Sequence, residues 1–121
     1  IGTNMPFHSL VFRSFIVSFI VQKNCISAET TVCLQLLDLI ALLKKMPEHT
    51  VSNILKRYTI LVKSLSADQK KLLVRLSRKY TPFVRTMLAL VLESIDERNL
   101  SIKISDTLNP NTFKKYKQKV L

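Results

Sequence analysis

Apolar positions recur at helical spacing along most of this chain, and the clearest case lies between Ser64 and Arg98. Ser66-Ala67-Asp68-Gln69 has the form of a capping box, in which the serine oxygen accepts from the third helical N–H and the glutamine reaches back. Behind it, Leu72, Leu73, Leu76 and Tyr80 fall on one face at about 100° per residue. Lys71, Arg75 and Arg78 share the opposite face. A second start follows at Thr81-Pro82, with proline at the one helical position where its missing N–H costs nothing. Phe83, Val84, Met87, Leu88, Leu90, Val91, Leu92 and Ile95 then occupy more than half the circumference. Only Arg85, Thr86, Ala89, Glu93 and Asp96 form a polar stripe, so this helix is expected to be largely buried, with neighbours on two sides.

The same reading extends both ways. Pro6–Lys23 is rich in apolar residues, from Phe7 and Leu10 to Ile20 and Val21, with Ser14, Ser18 and Gln22 repeating every four residues as a narrow polar stripe. Its β-branched and aromatic content also suits a strand, and the neighbouring helices favour a helix. Ala28–Met46 is apolar at Val32, Cys33, Leu36, Leu37, Leu39, Ile40 and Leu43, with Gln35, Asp38 and Lys45 expected outward. A third helix starts near Pro47 or Thr50 and ends near Ser64. Its Val51, Ile54, Leu55, Tyr58, Leu61, Val62 and Leu65 span about 120°. Beyond Arg98 the pattern changes: Leu100, Ile102 and Ile104 alternate with Ser101, Lys103 and Ser105, as in an extended arm. Asn109-Pro110 opens a last short helix with Phe113, Tyr116 and Val120 on one face.

These elements predict an all-α fold: a compact bundle of about five helices, with a short solenoid-like stack of antiparallel helical hairpins as the alternative. Residues 5–98 form the helical core domain, and 99–121 the extended arm plus a basic C-terminal helix. Ile1-Gly2-Thr3-Asn4, ahead of Met5, reads as a cloning remnant.

Composition sharpens this picture. Among 121 residues there is a single glycine, Gly2, so primed hairpin turns and glycine-closed phosphate loops have almost no residues to build them. A hydrophobic content of 47% with 22% charged residues is that of a globular domain. The formal charge of +11 is unevenly placed: residues 1–43 are neutral overall, whereas residues 44–121 carry 17 Lys and Arg against 6 acids. Nucleic acid, an acidic protein or an anionic surface would answer that charge. The apolar run Leu10–Val21 has 12 residues and contains Arg13, against about 20 for a membrane span, so a membrane partner is not expected. Two cysteines are too few for a disulfide framework and favour an intracellular compartment, nucleus and cytoplasm undistinguished.

Catalytic and metal chemistry find little footing. Cys25 and Cys33 are eight apart and far from His8 and His49, unlike the close pairs of structural zinc sites. Cys33 on an apolar face reads as a small core residue. Glu93, Asp96 and Glu97 read as a solvated helix end beside Arg98. No cofactor, metal site or catalytic residue is assigned, and an enzyme is not expected. The basic residues remain. Lys71, Arg75, Arg78 and Lys79, with Lys114, Lys115 and Lys117, are the candidate contacts to a partner or to phosphates, and Tyr80 or Tyr116 are candidates for stacking on bases. The plainer reading is that lysine and arginine merely solvate outer helix faces, yet +11 exceeds what solubility requires. The leading expectation is a non-enzymatic helical interaction or scaffold domain of a larger intracellular assembly, a ribonucleoprotein included. It would meet another subunit, its own copy or a different protein, through apolar helix faces. Direct binding of RNA or single-stranded nucleic acid through a basic helix face is the alternative.

Overall fold

Three of the helices among the described residues start at a side-chain cap. The computed structural model describes residues 28–120, so residues 1–4, the expected element at 6–23 and Cys25 lie outside the described residues. Six helices follow one another: α1 (Ala28–Leu43), α2 (Glu48–Lys63), α3 (Ala67–Ser77), α4 (Pro82–Ser94), α5 (Arg98–Ser105) and α6 (Pro110–Lys117). The capping box at α3 forms in full: the Gln69 N–H donates to Ser66 Oγ at 3.2 Å and the Ser66 N–H to Gln69 Oε1 at 2.9 Å. Thr81 caps α4 by accepting from the Val84 N–H, and Asn109 caps α6 by accepting from the Asn111 N–H at 2.8 Å. Prolines 82 and 110 both occupy first-turn positions.

The molecule is all-helical among the described residues and is built around α4. That helix packs against α1, α2, α5 and α6, while α3 packs against α1 and α5. A helix in contact with four others, two of them distant in sequence, is the centre of a bundle and not a rung in a row of hairpins. Val84, Met87, Leu88, Ala89 and Leu92 of α4 are fully buried, and Leu37, Ile40, Leu43, Tyr58, Val62, Leu73 and Ile104 close around them.

Five expectations need correction. The stretch 99–108 is not an extended arm: residues 98–105 are helical, because Leu100, Ile104 and Leu108 recur every four residues and all three are buried. In so short a run the alternation is equally a fragment of helical period. Second, the polar stripe expected on α4 is only partly outward: Thr86 and Ala89 are buried, while Glu93 and Asp96 stay exposed. Thr86 is buried with its hydroxyl donating to the Pro82 carbonyl at 2.8 Å, and Ser101 Oγ donates to the Ala89 carbonyl at 2.8 Å. Third, the inward face of α3 is centred on Leu73, Val74 and Ser77, with Leu72, Leu76 and Tyr80 half-buried at its edge. Fourth, on α2 the buried row is Val51, Leu55, Tyr58 and Val62. Leu61 lies 50% exposed beside Ile60 at 70%, so the apolar stripe is wider than the face that packs. Fifth, Asp38, expected outward, is buried on α1 and accepts from the Tyr80 hydroxyl at 2.9 Å.

One corner fixes how α3, α4 and α5 meet. The chain turns from α4 to α5 through Asp96, whose φ of 63° is the one positive value outside glycine among the described residues. The Glu97 N–H donates to the Leu92 carbonyl at 2.8 Å and the Asp96 N–H to the Glu93 carbonyl at 3.1 Å, which together make a Schellman closure. Lys70 on α3 reaches across to Glu97 with Nζ–Oε1 at 3.1 Å. This half-buried pair ties the start of α3 to the start of α5.

Candidate partner interface

With α3 and α5 fixed side by side, their outward positions enclose a concavity of about 400 Å³. The capping box sets the rotation of α3, so Lys71, Arg75 and Arg78 share one long edge of it. Lys103 of α5 supplies the other side. Leu72, Val74 and Leu100 form an aliphatic floor, and Asp68 is the one acid in the lining. None of the four cations makes an ion pair or a hydrogen bond with a described residue, and all four are exposed. Like charges gathered over a low-dielectric floor raise the local positive potential, and among the described lining residues only Asp68 opposes it.

The other basic candidates lie elsewhere. Lys79 is exposed beyond the cleft and does not line it. Lys114, Lys115 and Lys117 belong to α6, which packs on α4. There the ammonium groups lie over aromatic rings: Lys115 and Lys119 at 5.7 and 5.4 Å from the Tyr116 centroid, and Lys117 at 5.9 Å from that of Phe113. Lys70 is already bound to Glu97.

The aromatic residues expected to stack on bases are engaged in the fold. Tyr80 is half-buried with its hydroxyl committed to Asp38, and Tyr116 meets Phe83 edge to face, centroids 5.3 Å apart at 87°. Lys103 is the site residue that the sequence reading missed. The spacing of Leu100, Ile104 and Leu108 is the signal that could have placed it on a helix facing α3.

The remaining chemistry is structural. Cys33 is fully buried, its thiol donates to the Gln69 carbonyl at 3.6 Å, and burial together with the nearby Glu29 charge pushes it above the ordinary thiol range. A buried neutral thiol is a poor nucleophile. Glu97 holds Lys70, and Asp96 Oδ1 lies 3.2 Å from Arg98 Nε on the exposed corner. Among the described residues no group of three or more His, Cys, Asp or Glu side chains could hold a metal ion, and no helix is long and apolar enough to cross a membrane. No protein family, curated protein or solved structure matches the chain.

Proposed function

We propose that this chain is a helical protein–protein interaction module, without catalysis of its own, that docks an acidic segment of a partner protein in the α3–α5 cleft. The observation that carries this reading is the set of cations Lys71, Arg75, Arg78 and Lys103, without an ion pair among the described residues, above Leu72, Val74 and Leu100. A carboxylate-bearing peptide gains charge complementarity from the rim and apolar contact from the floor. A nucleic-acid strand would use the rim alone, because Tyr80 and Tyr116 are engaged within the fold.

Fluorescence anisotropy with a labelled acidic, leucine-bearing peptide tests the proposal, with a single-stranded RNA oligonucleotide as competitor. The variant K71E/R75E changes two exposed residues, so its unfolding midpoint should stay near that of the parent chain. It should lose peptide affinity by about tenfold or more. An unchanged affinity overturns the cleft. RNA that binds more tightly than the peptide at about 150 mM salt overturns the choice of partner and assigns the cations to phosphate.

A further inference from the structure

On the far side of α5 lies a second depression, about 630 Å³, between α5 and α6. Leu108, Pro110 and Phe113 make its floor, and Ile102 stands over it 53% exposed, a large apolar side chain at the surface of a short helix. Arg98 and Glu93 also line it, and the Lys117 ammonium sits above the Phe113 ring at 5.9 Å. Ile102 and Lys103 are consecutive, about 100° apart on the helix, so α5 offers an apolar position to one depression and a cation to the other. At eight residues α5 is about 12 Å long, room for two anchors one turn apart.

We infer that α5 is the central ridge of a two-sided docking surface for one acidic amphipathic helix of a partner protein. Its carboxylates face the α3–α5 cleft and its apolar residues enter the α5–α6 groove. The inference rests on the cleft reading and adds what the groove holds. Charge chooses the occupant. A second copy would bring another +11 against the same cations, whereas an acidic helix answers Lys71, Arg75, Arg78 and Lys103 while covering Ile102 and Phe113. Amphipathic helices seat in such grooves through apolar residues at i, i+3 or i+4, and i+7.

Two synthetic helical peptides of equal negative charge test this, one with leucines at those positions and one with glutamines there. Against the full chain, the leucine peptide should bind about tenfold more tightly than the glutamine peptide. Ile102→Ser, at an exposed position, should erase most of that preference without moving the unfolding midpoint. K71E/R75E should weaken both peptides alike. Equal affinity of the two peptides, or a preference unchanged in Ile102→Ser, overturns the groove and leaves the cleft standing. Conversely, a charge reversal without effect overturns the cleft, while a leucine preference lost in Ile102→Ser still upholds the groove. Failure of both peptides to bind overturns both.

Discussion

Replacing Tyr58 with phenylalanine removes one hydroxyl from the middle of the bundle. Tyr58 is 1% exposed, and its oxygen has no hydrogen-bond partner among the described residues. The two polar groups whose charges bear on it are already engaged: the Cys33 thiol donates to Gln69 and the Tyr80 hydroxyl to Asp38. An unsatisfied buried hydroxyl costs about 1–3 kcal/mol relative to its hydrated state in the unfolded chain. Phenylalanine keeps the ring contacts and gives up a single atom, so Tyr58→Phe should stabilise the protein by about 1–2 kcal/mol. With a urea m-value of about 1.5 kcal/mol/M, the midpoint should rise by roughly 1 M. Alkaline pH provides an independent reading. Burial, with smaller contributions from Cys33 and Tyr80, pushes the Tyr58 phenol well above its ordinary 10.0. Above pH 10 the unfolded chain therefore ionises this group while the folded chain does not. Its contribution is complete below that pH and falls by about 1.4 kcal/mol for each further unit until the folded group also ionises. Tyr58→Phe should accordingly lose stability less steeply above pH 10 than the parent chain. A variant less stable than the parent by 1 kcal/mol or more at pH 7, as about the value of one net hydrogen bond, would show that the hydroxyl is satisfied and refute the reasoning.

Leu88→Ala removes a fully buried side chain from the central helix and should cost about 2–5 kcal/mol by chemical denaturation, whereas Leu76→Ala, at the half-buried edge of α3, should cost about 1–2 kcal/mol. Equal losses would place Leu76 in the core and contradict the observed rotation of α3. Asp96→Gly relieves a left-handed residue at the α4–α5 corner, an advantage of about 1 kcal/mol set against the greater freedom of glycine in the unfolded chain. A net gain of about 0.5 kcal/mol in thermal or urea unfolding is expected, and a loss beyond about 1 kcal/mol would mean that the Asp96 side chain stabilises the corner.

Local signals were legible in the sequence wherever one residue type had one physical use. The Ser66 capping box, the Thr81-Pro82 and Asn109-Pro110 starts and the near-continuous burial of Phe83–Leu92 all stand in the structure. What failed depended on which neighbour covers which face. Asp38 looks outward by helical phase because the Tyr80 hydroxyl that donates to it lies 42 residues away. Ala89 looks exposed as long as α5, whose Ser101 donates to its carbonyl, is taken for an arm. The same alternation hides Lys103, and with it one wall of the cleft. Lys71, Arg75 and Arg78 are legible as a ridge, since helical phase alone aligns them. That the ridge borders a concavity is a tertiary fact, set by the Asp96 corner and the Lys70–Glu97 pair.

The distribution of work among the cations separates the fold from the surface. Lys70 neutralises Glu97 with both partners half-buried, where a charge pair is screened less than on the open surface. Arg85 holds the α5–α6 connection by donating from Nη1 to the Thr107 carbonyl at 3.2 Å and to its hydroxyl at 2.9 Å. Lys115, Lys117 and Lys119 shield the aromatic edge of α6. Each of these has a contact that folding itself supplies. Lys71, Arg75, Arg78 and Lys103 have no ion pair or hydrogen bond among the described residues, and they converge instead of dispersing as mutual repulsion alone would favour. A solvated helix face explains one row of cations on α3. It does not explain why a fourth cation from α5 faces that row across an aliphatic floor, and the proposed acidic partner would.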